Sequence, residues 1–187
     1  MAVKTRTIVG MGILTAIVIV LQALAIGIRF GTFSITLVLV PIVVGAALYG
    51  KFAGAWLGFV FGVVVLFTDA GPFFAVSVPG TIITCILKGV LAGFVAGIVY
   101  HALAKKNIWL AVIAAAIVCP IVNTGVFLLG CVVFFLKTIR EWGQAAGFNN
   151  VATYMLVGFV GLNFLIEMGV NIVLSSAIVR ILKVIKK

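Results

Sequence analysis

Pro79-Gly-Thr-Ile-Ile-Thr-Cys-Ile-Leu-Lys88-Gly-Val-Leu-Ala-Gly-Phe-Val-Ala-Gly97-Ile-Val-Tyr-His-Ala-Leu103 holds one strongly charged side chain in 25 residues. A helix rises 1.5 Å per residue, and about 20 apolar residues cross the hydrocarbon core of a bilayer. The stretch therefore predicts a membrane-spanning helix over 79–103. Pro79-Gly80 marks its start, and Lys105-Lys106-Asn107 closes it with charge. Gly89, Gly93 and Gly97 recur four apart and form a small-residue face on which a second helix can pack closely.

The rest of the chain reads the same way. Of 187 residues, 65% are hydrophobic and 9% charged, against about 25% charged in soluble domains. Mean hydropathy is +1.45. So few charges cannot cover a soluble fold, and so many apolar residues exclude intrinsic disorder. At roughly 20 residues per span, the length holds about five to seven spans and leaves no room for a soluble domain. Six helices are predicted, roughly over 8–28, 33–49, 52–67, 79–103, 108–136 and 154–183. The expectation is an all-α membrane protein: a six-transmembrane-helix bundle forming a single integral membrane domain over 1–187. The first apolar run is long and lacks a small-residue cleavage site, so it is read as a span and not a signal peptide. Gly54, Gly58 and Gly62 repeat the four-residue spacing in the third helix, and Pro120 interrupts the fifth.

The net charge of +10 is spread between apolar spans, which points to membrane orientation and not to nucleic acid. Lys4, Arg6, Lys51, Lys105, Lys106, Arg180, Lys183, Lys186 and Lys187 fall on one side; Arg29, Lys137 and Arg140 fall on the other. The richer side faces the cytoplasm. Both termini are then cytoplasmic, and the segments 29–32, 68–78 and 137–153 face outward.

Chemistry is limited by supply. The acids are Asp69, Glu141 and Glu167, and the one histidine is His101. Cys85, Cys119 and Cys131 lie in apolar runs without metal-ligand spacing, so no metal is expected. No phosphate-binding glycine loop of the G-x-x-x-x-G-K-[ST] type occurs, so the chain is not expected to hydrolyse ATP itself. Serines lack a histidine at matching depth. An enzyme is not expected, and neither is a cofactor.

Ionisable residues at membrane depth are functional candidates. Lys88 lies about nine residues, roughly 14 Å, from the outer start of its helix. Asn163, Glu167 and Asn171 are four apart and form a polar stripe on the last helix. Asn123 lies about 13 residues from the outer end of the fifth helix. Lys88, Asn123, Asn163 and Glu167 can thus meet in one layer, with Thr84 one turn from Lys88. Asp69 and Trp142, in outer loops, are candidates to cap it. One reading is a Lys88–Glu167 ion pair with asparagines bridging helices. The other is a ligand pocket open to the outside. The two are compatible, because a ligand carboxylate can share Lys88 with Glu167.

The segments Phe33-Ser-Ile-Thr-Leu-Val-Leu-Val-Pro41-Ile-Val-Val-Gly-Ala-Ala-Leu-Tyr-Gly50 and Ala53-Gly-Ala-Trp-Leu-Gly58-Phe-Val-Phe-Gly62, with the size and span pattern, resemble the substrate-binding S-components of energy-coupling factor (ECF) vitamin transporters. The resemblance covers nearly the whole chain. It implies a plasma-membrane subunit of a prokaryote that binds a vitamin or related micronutrient from outside. It also implies assembly with a transmembrane coupling subunit and two ATPase subunits, which alone would use ATP. The family docks through a small-x-x-x-small pattern in its first helix. Gly12-Ile-Leu-Thr-Ala16 is similar, with glycine where alanine is usual. The segment around Pro41 and Gly45 most resembles pantothenate and riboflavin members. Pantothenate, with one carboxylate, suits a lone buried lysine. The competing readings are an autonomous secondary transporter or small channel, and a purely structural membrane subunit.

Overall fold

The computed structural model describes residues 2–25, 29–30, 33–34 and 37–185. The expected continuation of the first helix over 26–28, and the terminal Lys186 and Lys187, lie outside the described residues. The elements are α1 (Ala2–Ala25), β1 (Arg29–Phe30), β2 (Phe33–Ser34), α2 (Leu39–Tyr49), α3 (Lys51–Thr68), α4 (Gly71–Phe74), α5 (Val78–Ala104), α6 (Ile108–Phe134), α7 (Leu136–Ala145), α8 (Val151–Thr153), a π-helical turn (Tyr154–Phe159) and α9 (Gly161–Ile185). Within the described residues, α1, α3, α5, α6 and α9 are long and apolar enough to cross a membrane. The chain is an all-α membrane bundle.

Local chemistry sets the breaks. Gly50, at φ +99°, separates α2 from α3 in a conformation that side chains other than glycine rarely adopt. Ser77 caps α5: its Oγ accepts the Gly80 N–H at 3.2 Å, and Pro79 sits in the first turn, where no donor is needed. Asn107 caps α6, its Oδ1 accepting the N–H groups of Trp109 at 2.8 Å and Leu110 at 3.2 Å. Asn150 does the same for α8.

The second expected helix is shorter than its apolar sequence. Phe33-Ser34 pairs antiparallel with Arg29-Phe30 instead of opening a helix, and α2 begins only at Leu39. Its 11 residues span about 16 Å, roughly half the hydrocarbon thickness. Most of α2 is buried, from Leu39 through Ala47, as suits a helix apolar on every side. It packs on α3, α5, α6 and α9. Around it lie Val18, Leu57, Tyr100, Val112, Ile178 and Leu182. His101 ties α5 to it through a 3.1 Å contact between Nε2 and the Ala46 carbonyl.

Contacts fix the helix directions. Trp56 Nε1 donates to Thr15 Oγ1 at 3.3 Å, while Gln22 reaches Thr68 and Asp69, so α1 and α3 run parallel. α3 and α5 are antiparallel, with Gly54 against Gly93, Gly58 against Gly89 and Gly62 against Cys85. A Cβ at Gly58 would collide with the Gly89 carbonyl, and one at Gly93 with the Gly54 carbonyl. The two backbones therefore touch, which the glycine spacing of both helices foreshadows. α5 and α6 are antiparallel, with Gly80 beside Phe134 and Gly130 beside Thr84. α9 returns beside α6, with the Lys183 ammonium 5.8 Å from the Trp109 ring centroid.

Two further segments differ from the sequence expectation. The loop expected over 137–153 contains α7, an amphipathic helix that buries Ile139 and Gly143 and exposes Lys137, Arg140 and Glu141. The last helix is interrupted: the Val160 N–H donates to the Met155 carbonyl at 3.2 Å, five residues back. Such π turns widen the backbone and re-aim side chains.

Candidate functional site

The ends of α1 and α3, the first halves of α5 and α9 and the second half of α6 converge on a cavity of about 170 Å³. Its walls include Gln22, Asp69, Lys88, Asn123, Thr124, Asn163 and Glu167, with Phe61, Phe127, Phe159 and Phe164 supplying aromatic surface. The four residues expected in one intramembrane layer, Lys88, Asn123, Asn163 and Glu167, thus line a single chamber, and Asp69 joins them.

The reason lies in helical geometry. Lys88 and Gly89 are about 100° apart around α5. Gly89 meets α3 backbone to backbone, so Lys88 points to another side, toward the chamber bordered by α6. Its ammonium lies 4.9 Å from the Phe127 ring centroid and 5.5 Å from that of Phe61. Aromatic faces stabilise a cation by about 0.5–2 kcal/mol and leave its hydrogen-bond donors available. On α9, Asn163 and Glu167 are one turn apart and share a face. The π turn brings Phe159 and Val160 into the wall.

Amide chemistry dominates the remainder. Asn123 is 7% exposed and Gln22 1% exposed. Gln22 Oε1, Asn123 Oδ1 and Asn163 Oδ1 are buried acceptors without a hydrogen-bond partner among the described residues. An unpartnered buried polar group costs about 1–3 kcal/mol, and three beside one cavity mark a place where water or a ligand completes the bonding.

Gln22 is a polar wall residue that sequence reasoning missed. Its Nε2 donates to Asp69 Oδ2 at 2.6 Å and to Thr68 Oγ1 at 3.2 Å, and Thr68 Oγ1 donates to Asp69 Oδ2 at 2.8 Å. The available signal was the single amide side chain of the first span.

Three expected binders stand outside the described walls. Thr84 is buried against Gly130 of α6, where the glycine lets the helices close. Asn171 is fully buried one turn beyond Glu167, and its Nδ2 donates to the Glu167 backbone carbonyl at 2.8 Å. Trp142 lies one layer out. Its ring centroid is 5.6 Å from that of Phe73 and 6.3 Å from that of Phe159. Phe73, on α4, also meets Phe127 at 5.8 Å and Phe135 at 5.0 Å. These rings plug the chamber on the side of α4 and α7, and through Phe127 and Phe159 they touch its wall.

The expected docking pair is exposed. Gly12 and Ala16 lie on the outer face of α1, and a Cβ at Gly12 would meet nothing within 4 Å.

Comparison with curated proteins and with solved structures found no match. A family model described as "ECF transporter, substrate-specific component" matches residues 6–179. That match spans nearly all of α1 through α9, including every residue of the chamber, so the chain belongs to the family of substrate-specific components of ECF transporters.

Proposed function

We propose that this substrate-specific subunit of an ECF importer captures a small anionic micronutrient in the Lys88 chamber and releases it inside the cell after assembly with a coupling subunit and two ATPases. Pantothenate is the substrate we favour. The observation that carries this reading is the convergence of Lys88 with the unpartnered oxygens of Gln22, Asn123 and Asn163 on one cavity. At about 170 Å³, the chamber is smaller than the roughly 300–1,000 Å³ of sites for drug-sized ligands, which favours a small substrate. Lys88 supplies the charge for a carboxylate, and the phenylalanine rings supply apolar walls.

Orientation supports uptake from outside. Arg6, Lys51, Lys105, Lys106, Arg180 and Lys183 cluster at the starts of α1 and α3, around the α5–α6 turn and at the end of α9, all opposite the chamber. Lys137 and Arg140 lie at the chamber end. By the positive-inside rule the basic end is cytoplasmic, both termini with it, and the chamber faces out. The protein then sits in the plasma membrane of a prokaryote as one integral membrane domain and has no cofactor of its own. Gly12 and Ala16 offer a flat, exposed helix face to the coupling subunit.

Reconstitution tests this reading. Liposomes carrying the chain with a coupling subunit and two ATPases should accumulate labelled pantothenate only when ATP is inside. Gly12→Leu combined with Ala16→Trp should abolish co-purification while the isolated chain still binds substrate. Uptake by the chain alone, driven by an ion gradient, would contradict the assignment.

A further inference from the structure

Asp69 sits at the end of α3, with its Oδ2 2.6 Å from Gln22 Nε2 and 2.8 Å from Thr68 Oγ1. An ionised carboxylate only accepts hydrogen bonds, so the group of Gln22 that faces it must be the NH₂. The amide is planar. Fixing its nitrogen on Asp69 and Thr68 fixes the direction of Oε1, which is buried and has no partner among the described residues. Gln22 is 1% exposed, so bulk water cannot satisfy that oxygen. Asn123 Oδ1 and Asn163 Oδ1, in the same walls, are likewise buried acceptors without partners. The walls carry one ammonium, Lys88, held over two aromatic faces, and a second carboxylate, Glu167, on α9.

We propose that Asp69 and Thr68 position Gln22 as a hydrogen-bond acceptor, so that the chamber selects a small anion that also carries several hydroxyl or amide N–H donors. This rests on the reading of the chamber as the substrate site and adds a rule for what enters it. The anionic end pairs with Lys88. The donors satisfy Gln22 Oε1, Asn123 Oδ1 and Asn163 Oδ1. A ligand bearing only acceptors would leave those oxygens unsatisfied and bring its own lone pairs against them, a mismatch that polar sites reject strongly. Asp69 and Thr68 need not touch the ligand. They are positioning residues, and Gln22 is the specificity determinant.

The test uses the full chain in lipid nanodiscs and equilibrium binding of three probes. Pantothenate is an anion with two hydroxyls and an amide N–H, nicotinate is an anion without a donor, and thiamine is a cation. The wild type should bind pantothenate at least about tenfold tighter than nicotinate, the scale of one well-made hydrogen bond to a buried group, and thiamine least. Gln22→Met removes the acceptor at similar volume and should collapse the pantothenate-to-nicotinate ratio. Asp69→Ala removes the acceptor that holds the Gln22 NH₂, frees the amide to turn and should lower the same ratio. A packing role would weaken both anions together and leave the ratio unchanged. Equal binding of the two anions, a ratio unmoved by Gln22→Met, preference for thiamine, or binding of none of the three would overturn the proposal. Co-purification with the coupling subunit and ATPases is measured in parallel. If assembly persists while the selectivity rule fails, the transport reading stands; if assembly fails too, both fall.

Discussion

The seam between α3 and α5 and the chamber beside it are built from the same helix, and they differ in what each face of α5 carries. On one face Gly89 and Gly93 press against Gly58 and Gly54, backbone on backbone, with no space for even a methyl group. On another, Lys88 opens onto a cavity lined by amides and phenylalanines. In lipid, apolar side chains gain little by leaving their surroundings, so helix association relies on close van der Waals contact, which small residues permit. The seam supplies that contact. It sets α3 against α5 at backbone contact, and Lys88 projects from the neighbouring face of α5 into the chamber. The glycines contribute packing, and the buried polar residues carry a cost in stability that packing offsets.

This contrast can be broken from either side. The largest effect is expected from Gly58→Leu, which forces a side chain into the Gly89 carbonyl. Overpacking costs typically 1–3 kcal/mol, and backbone with no room to yield lies at the upper end. The expected outcome is loss of the folded protein from detergent extracts, read by size-exclusion chromatography. Next comes Lys88→Met. Removing an intramembrane charge should leave the thermal midpoint equal or higher, while pantothenate binding by isothermal titration calorimetry falls by about a hundredfold, the scale of a lost charge-assisted hydrogen bond in a dry site. Stability and binding move in opposite directions for this variant and together for Gly58→Leu. Trp142→Ala should weaken binding only a few-fold, because the rings of Phe73 and Phe159 still stand between it and the chamber. Thr84→Val should do least to binding. Its Oγ1 is buried without a hydrogen-bond partner among the described residues, so the substitution should raise the thermal midpoint slightly and leave the ligand titration unchanged.

Much of the bundle and of the chamber is legible in the sequence, on physical grounds. Counting residues from a helix end gives depth, and depth placed Lys88, Asn123, Asn163 and Glu167 in one layer. Four-residue spacing gave the glycine faces. Depth does not say how far apart two helices stand. Thr84 shares with Lys88 a side of α5 near α6, yet Gly130 closes the gap at Thr84, and nothing in α5 alone reveals a glycine on its neighbour. Asn171 follows the stripe of Asn163 and Glu167 but turns its amide back to its own helix. The aromatic walls were hidden by abundance, since the chain has 15 phenylalanines and composition does not single out four of them. The helix expected over 33–49 is already short for a span, and pairing of 33–34 with 29–30 leaves α2 shorter still. Gln22 was a weak signal on a helix otherwise read for packing.

The central claim is that the space among Lys88, Asn123 and Asn163 holds the transported molecule. Native mass spectrometry of the intact chain, released from nanodiscs after growth in rich medium, tests it most directly. The expected spectrum shows one small anionic molecule bound per chain in the wild type and none in Lys88→Met, with both proteins folded. A wild-type chain that carries nothing even after incubation with pantothenate, or a Lys88→Met chain that carries the same mass to the same extent, would contradict it.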